Sequence, residues 1–319
     1  MTVLDVAVTA ARAGADELRR AAGGDLEVAY KDARANLVTV ADRRSQDAIT
    51  RVILDAFPGD AVDGEEGRAG PPDARNVWYV DPLDGTTNYS RGMPFYCVSI
   101  ALRVAGDTTA GVVYDPVRDE MFAACKDAAA TVNGQALRVS GVSRLDRALV
   151  VAQAQSSVPS EIRAYAELVE ALMLACGGVR AFGSPALTLC AIACGKLDAY
   201  CEHAMAAWDI AAGQLILEQA GGTLTTFTGA PHRSAGPADV VASNGLIHAE
   251  LVSVLKGLLW LMSIRPRCPS PRPAGGRGPG GGTWSRTRRT GSARRTGPSC
   301  STTTASWRST TRRPPGWTS

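Results

Sequence analysis

The composition of the chain changes abruptly between Ile264 and Arg265, and this change limits what the chain can fold into. Residues 265–319 contain twelve arginines but no Asp, Glu or Lys, and no Val, Ile, Leu, Met, Phe or Tyr. Such a segment cannot bury enough apolar surface to offset the entropy lost on ordering. We therefore expect the folded protein to end near residue 264, and residues 264–319 to form a disordered tail rich in Arg, Gly and Pro.

The origin of this tail has three interpretations. It is consistent with out-of-frame translation of a GC-rich gene, with a solvated linker, or with an arm that binds nucleic acid. The formal net charge of +3 belongs to the tail, because residues 1–264 alone carry a net charge of −9. An acidic body does not favour nucleic acid as a partner.

The remaining residues predict a mixture of helices and strands. Apolar residues recur at helical spacing in six segments: 3–21, 42–57, 160–176, 184–195, 207–220 and 246–261. Short apolar runs indicate nine strands: 77–81, 96–104, 110–115, 120–124, 147–152, 179–182, 197–201, 223–226 and 239–242. Residues 1–144 have the pattern of an α+β half and residues 145–263 that of an α/β half. The segment AFPGDAVDGEEGRAGPPDARN, residues 56–76, is rich in Gly, Pro and Asp and predicts a loop.

Nothing in the sequence suggests a membrane or an oxidising compartment. The first 24 residues carry early acids and an amphipathic period, so they predict a helix and not a signal peptide. None of the eight cysteines forms a C-x-x-C pair, which argues against a zinc site and fits a reduced cytoplasmic protein.

The segment WYVDPLDGTTN places two aspartates, Asp81 and Asp84, directly after an apolar strand. Pro82 cannot donate a hydrogen bond to a ladder, so strand pairing should end at Asp81. Two carboxylates this close repel each other unless a cation lies between them, and oxygen ligands suit Mg²⁺. Exposed N–H groups of Gly85 and Thr86, at a helical start, would suit a phosphate. The structural alternative is an Asx-turn with Thr86 or Thr87 as a helix cap.

Other acidic residues lie far from this segment in the chain. Glu65 and Glu66 stand between glycines in VDGEEGRAG, which is otherwise typical of an exposed acidic loop. Asp209 begins a helix after Trp208 and would alone be interpreted as an N-cap. Asp42 stands where the N-cap of the helix at 42–57 is expected.

Taken together, these segments resemble the inositol monophosphatase family of Mg²⁺-dependent, lithium-sensitive phosphatases. The resemblance rests on G-E-E at 64–66, W-x-x-D-P-L-D-G-T-T-N at 78–88 and W-D-x-A-A-G at 208–213, and it covers about residues 5–260. It implies a layered αβαβα sandwich with the site between the two halves, residues 1–144 carrying most metal ligands. It also implies a homodimer and two or three Mg²⁺ ions, with Lys31 in a mobile loop near the third.

The resemblance assigns a role to each matching position. It implies these metal ligands: Glu65, Asp81, the Leu83 carbonyl, Asp84 and Asp209. In catalysis Glu65 would help hold the attacking water, and the Thr86 hydroxyl, supported by Asp42, would orient or activate it. The implied substrate-binding residues are the following: Gly85, Thr86, Asp84, Asp209 and Glu202, with Glu202 binding substrate hydroxyls.

The leading functional hypothesis is Mg²⁺-dependent hydrolysis of a small phosphate monoester, in the first place myo-inositol monophosphate. Pro185 departs from the family pattern beside the substrate and leaves the alcohol open. The alternatives are histidinol phosphate, a 3′-phosphoadenosine nucleotide, fructose bisphosphate or a phosphorylated aminocyclitol. We interpret Ser184 as the N-cap of the helix that Pro185 begins, and His203 as a solvated or supporting residue. A different class is a binding protein associated with RNA synthesis, a role that some bacterial relatives have.

Overall fold

The structure is a computed structural model that describes residues 1–22, 28–30, 37–154, 158–232 and 237–264. The predicted tail beyond Ile264 and the predicted loop residue Lys31 lie outside these residues. The described residues form seven α-helices: α1 (Val3–Ala21), α2 (Val40–Ala56), α3 (Thr86–Ser90), α4 (Pro159–Ala175), α5 (Pro185–Ala193), α6 (Ala207–Gln219) and α7 (His248–Ile264). None of these helices combines the length and the apolar character needed to cross a bilayer.

The strands form two large sheets and one small hairpin. They are β1 (Val28–Tyr30), β2 (Leu37–Thr39), β3 (Ala61–Gly64), β4 (Gly67–Ala69), β5 (Asn76–Asp84), β6 (Cys97–Val104), β7 (Asp107–Asp115), β8 (Glu120–Cys125), β9 (Thr131–Val132), β10 (Gln135–Ala136), β11 (Leu149–Ala152), β12 (Gly178–Arg180), β13 (Ala199–Met205), β14 (Thr223–Thr225) and β15 (Ala238–Ser243). The eight-stranded sheet has the order β10-β9-β8-β7-β6-β5-β3-β4, and the five-stranded sheet has the order β12-β11-β13-β15-β14.

Alternating side chains on the strands produce the layers. On β5, Trp78 and Val80 pack in one core with α1 and α2. The residue between them, Tyr79, belongs to a second core with α5, α6 and the inner face of the other sheet. On β11, Val151 joins this second core, while Val150 packs in a third core with α4 and α7. Because successive strand residues face opposite sides, each sheet is covered on both faces. The predicted αβαβα sandwich is confirmed.

The elements predicted from the sequence are present, with one correction. All six helices and all nine strands occur within a few residues of their expected bounds. The predicted loop at 56–76 is wrong in part, because β3 and β4 form a hairpin there with Val62 paired to Ala69. These strands have four and three residues, which is too short for an alternating apolar pattern to stand out from the surrounding Gly and Asp.

The pairing of β5 also continues beyond the point expected from Pro82. Asp81 pairs with Ser99 on β6, and Asp84 pairs with Cys97, with an irregularity between the two pairs. Two residues of β5 therefore stand opposite one residue of β6, which is the arrangement of a β-bulge. The bulge accommodates the proline without ending the strand.

Candidate active site

The first acidic pair lies where two parallel strands end side by side. Gly64, the last residue of β3, is in register with Val80 on β5. The Glu65 N–H donates to the Val80 carbonyl at 3.1 Å, which places Glu65 beside Asp81. Because parallel strands end at the same edge of a sheet, residues 16 positions apart in the sequence become neighbours there.

The bulge in β5 brings the second aspartate to the same face as the first. Residues three apart on a regular strand point to opposite faces, so Asp81 and Asp84 would normally diverge. Their partners Ser99 and Cys97 are only two apart on β6 and share one face. That face looks toward α6, since the Ser99 hydroxyl donates to the Trp208 carbonyl at 3.2 Å. The extra residue thus sets both carboxylates on the side of the central helices.

Asp84 joins the two sheets through the start of α5. Its Oδ2 accepts hydrogen bonds from the Ser184 hydroxyl at 2.6 Å and from the Ala186 N–H at 2.7 Å. The Cys97 thiol donates to the same oxygen at 3.6 Å. Ser184 is the N-cap residue with Pro185 at the first helical position, as predicted, but its side chain makes no capping bond. Asp84, from another part of the chain, caps α5 instead by accepting the Ala186 N–H. The interpretation of Ser184 as the capping side chain is therefore wrong.

Asp209 is the third residue of α6 and not its N-cap. The N-cap is Ala206, whose N–H donates to Asp209 Oδ2 at 2.8 Å. This bond fixes one carboxylate oxygen toward the backbone and turns the carboxylate back along the first turn of α6.

The electrostatics of these groups show that they share one region. Burial raises the pKa of Asp81 well above its ordinary value, and the charges of Glu65, Asp84 and Asp209 raise it further. Burial raises the pKa of Asp84 to about 7, although hydrogen bonds from Ser184 and Ala186 lower it. Burial, followed by the charge of Asp84, also raises the pKa of Asp209. The charges of Glu65, Asp84 and Asp209 therefore act on Asp81, and the binding of a metal by all four, which the resemblance implies, stays a prediction.

A tight turn follows Asp84 and leads into α3. Gly85 is the N-cap of this helix and adopts φ 98°, a left-handed conformation that glycine accepts without strain. The expected cap by Thr86 or Thr87 is wrong, because no side chain caps α3. The Thr86 hydroxyl instead lies between two acceptors, Asp42 Oδ1 at 3.2 Å and the Leu83 carbonyl at 3.1 Å.

Asp42 differs from its predicted local role but reaches its predicted partner. Helix α2 begins at Val40, so Asp42 lies within the first turn and is not the N-cap. Its residue surface is 1% exposed. A buried carboxylate in contact with Thr86 supports the predicted pairing of these two residues.

Glu202 lies on β13, on the face that looks toward the central helices. It is 3% exposed and accepts a hydrogen bond from the Tyr200 hydroxyl. Burial raises the pKa of Glu202 to about 7, and the charge of Asp84 contributes to this rise. His203 points elsewhere, since its Nδ1 lies 3.0 Å from Asp239 Oδ1 and its ring packs against Phe227. This contact agrees with a supporting position for His203 away from the substrate.

The donor set fits a hard divalent cation. Its members offer oxygen atoms only, and Asp81 and Asp84 are buried while Glu65 and Asp209 are half-buried. Carboxylates that lie near one another repel unless positive charge compensates them. Within the described residues, no group of three or more Asp, Glu, His or Cys side chains is arranged closely enough to hold a metal ion. The fit to a cation therefore rests on the oxygen donors and their charge, with Asp84 oriented by Ser184 and Ala186 and Asp209 oriented by Ala206.

Sequence reasoning missed several residues that shape this site. Cys97 and Ala186 contact Asp84, and Tyr200 contacts Glu202. The Tyr200–Glu202 contact had a signal, because residues two apart on a strand share a face. The contacts of Asp84 with α5 had none, since they join positions 100 and 102 residues apart through the packing of two sheets.

Comparisons with known proteins agree with this geometry. The model of the inositol monophosphatase family matches residues 1–258. An inositol-1-monophosphatase of Synechocystis is 37% identical over 256 residues, which are 80% of this chain and 88% of the relative. A Nus factor SuhB of Pasteurella multocida is 35% identical over 81% of this chain and 97% of its own length. The crystal structure of the extragenic suppressor protein suhB of Bartonella henselae matches with a TM-score of 0.74 and 33% identity, over 80% of this chain and 98% of the other.

Proposed function

We propose that this chain, which belongs to the inositol monophosphatase family of phosphoric monoester hydrolases, hydrolyses a small polyol monophosphate with Mg²⁺, in the first place myo-inositol monophosphate. The observation that carries the proposal is the convergence of Glu65, Asp81, Asp84 and Asp209, whose charges act on one another across three separate elements. We assign these four carboxylates, with the Leu83 carbonyl, as the ligands of two or three Mg²⁺ ions.

The assigned ions explain why the chain needs no nucleophilic side chain. Bound Mg²⁺ supplies compensation for the negative phosphate, a more acidic water and stabilisation of the leaving alkoxide. The chain then has to position the reactants, which is most of what phosphoryl transfer requires. We assign Thr86, with Asp42 behind it, to orient the attacking water, and Glu65 to hold it. The N–H groups of Gly85 and Thr86 bind the phosphate oxygens in this assignment.

Glu202 supports a hydroxyl-rich alcohol as the leaving group. A buried carboxylate beside the catalytic carboxylates can accept a hydrogen bond from a substrate hydroxyl. Pro185 at the start of α5 has no N–H to donate to the substrate, so other groups must donate hydrogen bonds to the alcohol. We therefore place a polyol ahead of histidinol phosphate, fructose bisphosphate, a 3′-phosphoadenosine nucleotide or a phosphorylated aminocyclitol.

The test is turnover on a panel of these phosphate monoesters, each measured with Mg²⁺ and with a chelator. We expect release of phosphate that depends on Mg²⁺ and is fastest for inositol 1-phosphate. Turnover of histidinol phosphate with none of inositol phosphate would reject the substrate assignment. Equal turnover with and without Mg²⁺ would reject the metal assignment.

The name Nus factor, carried by the Pasteurella relative, favours a second candidate function in an RNA synthesis complex. In that case the arginine-rich residues 265–319 would contribute to RNA binding, and affinity would fall steeply with salt. Fluorescence anisotropy with RNA, at several salt concentrations, tests this role for the full chain.

We propose the cytoplasm as the compartment for either function. We also propose a homodimer as the assembly, which sedimentation equilibrium would measure.

A further inference from the structure

Gln153 follows β11 directly and lies beside Glu202 on the inner face of the five-stranded sheet. Strands β11 and β13 are parallel, and Ala152 is in register with Cys201. The next residues, Gln153 and Glu202, are therefore neighbours on one face of the sheet. This face looks toward the central helices, because Val151 and Tyr200, two residues earlier on each strand, both belong to the core that contains α5 and α6.

The hydrogen bonds of Gln153 fix which way its carboxamide points. Its Oε1 accepts the N–H of Gly183 at 2.8 Å and the N–H of Phe182 at 3.3 Å. Only the oxygen of an amide can accept these bonds, so the amino group must point away from the 182–183 backbone. The same backbone is held from its other side by Asn88, whose Nδ2 donates to the Phe182 carbonyl at 2.7 Å.

The amino group of Gln153 is a buried donor with no hydrogen-bond partner in the part of the chain that the structure describes. Gln153 is 5% exposed, and its Nε2 makes no hydrogen bond within the described residues. Leaving such a donor unpaired destabilises the folded state, so buried amides are rarely left in this state. Glu202 is a charged acceptor within its reach, because the Gln153 side chain lowers the pKa of that carboxyl, although the two groups make no hydrogen bond of normal geometry.

We propose that Gln153 is a positioning residue for substrate specificity, which donates from Nε2 to Glu202 and thereby aims that carboxylate at a hydroxyl of the substrate alcohol. Glu202 receives a second donor in the Tyr200 hydroxyl. Two donors on one carboxylate leave its remaining acceptor sites directed toward the site, where a hydroxyl can use them. The inference rests on the proposed function, because it takes Glu202 as the residue that binds substrate hydroxyls.

The change Gln153→Glu tests this role with little change in shape. The new carboxylate still accepts from Phe182 and Gly183, but its second oxygen replaces the donor and repels Glu202. We expect kcat/KM for the best hydroxyl-bearing ester, inositol 1-phosphate or glycerol 2-phosphate, to fall about tenfold through KM. The value for p-nitrophenyl phosphate, which has no such hydroxyl, should change much less.

The exchanged pair Gln153→Glu with Glu202→Gln separates positioning from a purely structural role. The pair then regains one donor and one acceptor, and the amide introduced at position 202 can still accept from a hydroxyl. We expect the double variant to recover part of the preference lost in Gln153→Glu alone. The control Gln135→Glu makes the same chemical change at an exposed position on β10 and should leave the preference unaltered.

Each other outcome contradicts the inference. An equal loss on both kinds of substrate would mean that Gln153 only supports the fold, and an additive double variant would mean that it does not act through Glu202. If the Gln153→Glu variant keeps the parent's preference for the hydroxyl-bearing ester, this inference is wrong but the polyol assignment stands. If the parent enzyme itself has no preference for any hydroxyl-bearing ester, both the inference about Gln153 and the polyol assignment are wrong. If Gln153→Glu does not fold, Gln153→Met removes the donor without adding charge and provides the same comparison.

Discussion

At the scale of single residues, the site is built from carboxylates whose environment opposes their charge. Asp81 and Asp84 are 2% and 4% exposed, and burial is the first cause of the raised pKa of each. A protein without a bound cation gains nothing from this arrangement, because it must either protonate these groups or tolerate their repulsion. The arrangement is therefore expected to cost folding stability in exchange for cation binding.

The substitution Asp84→Asn tests, at one position, whether a buried carboxylate lowers folding stability while it serves cation binding. The pKa of Asp84 in the folded protein is about 7, against an ordinary value of 3.8. The folded state therefore holds a proton that the unfolded state releases, and stability falls as pH rises between these values. The full penalty, on the order of a few kcal/mol, is present above about pH 7. Asparagine removes it and still accepts from Ser184 and Ala186.

We expect metal-free Asp84→Asn to unfold at a higher temperature than the parent at pH 8, by about 5 °C, and at nearly the same temperature at pH 4. Activity with Mg²⁺ should fall by several orders of magnitude, since a metal ligand is lost. The control Asp107→Asn, an exposed carboxylate paired with Lys126, should change neither quantity. Activity within about tenfold of the parent would contradict the assigned role of Asp84.

At the scale of elements, the turn between β5 and α3 carries the predicted phosphate-binding N–H groups. A Cβ on Gly85 would lie 3.0 Å from the Phe95 carbonyl oxygen and 3.3 Å from the Gly183 carbonyl oxygen. The position combines a left-handed backbone with close packing against two other segments, so the turn cannot adjust to a side chain.

Gly85→Ala should therefore lower both stability and catalysis. We expect a loss of about 1–3 kcal/mol in the free energy of unfolding and a drop in kcat of more than about tenfold. Gly106→Ala is the matched control, because Gly106 has a similar φ of 95° but no atom within 4 Å of the added Cβ. It should lose stability by backbone strain alone and keep its kcat. Equal losses of kcat in both variants would show that strain, and not the geometry of the turn, affects activity.

The elements also show what the sequence could and could not predict. The predicted bounds of helix α1 match the observed ones because its apolar period is long, and the structure shows in addition that Thr2 caps it. The bulge in β5 could not be predicted, since it depends on register with β6 and not on the β5 sequence. Ser184 also could not be interpreted from local sequence. Its neighbours in sequence indicate a helix cap, but its hydroxyl donates to Asp84, which lies 100 residues away in the chain. The four acidic ligand positions came from a motif that spans the chain, and local patterns alone left them open.

At the scale of the whole molecule, residues 1–264 and residues 265–319 differ in charge and in composition. The acidic residues 1–264 contain every assigned site residue, and residues 265–319 contribute twelve arginines. The last described helix, α7, ends at Ile264, and the predicted tail lies outside the described residues.

Removal of residues 265–319 should therefore leave the hydrolase intact. We expect kcat/KM on inositol 1-phosphate within about twofold of the full chain, because no assigned ligand is lost. Binding to RNA at low salt should weaken strongly, since the remaining net charge is −9. A truncated chain that folds but does not turn over substrate would show that the tail takes part in catalysis.

The hydrolase assignment requires that four carboxylates, from β5, α6 and the end of β3, bind divalent cations together. Isothermal titration of the metal-free protein with Mg²⁺ at pH 7, in two buffers of different ionisation enthalpy, tests it directly. We predict saturable binding of about two ions per chain with release of protons, because burial raises the pKa of Asp84 to about 7 and leaves this group partly protonated. Asp81→Asn and Asp209→Asn should each abolish part of this binding. Absence of saturable binding, or binding that both variants retain unchanged, would contradict the claim.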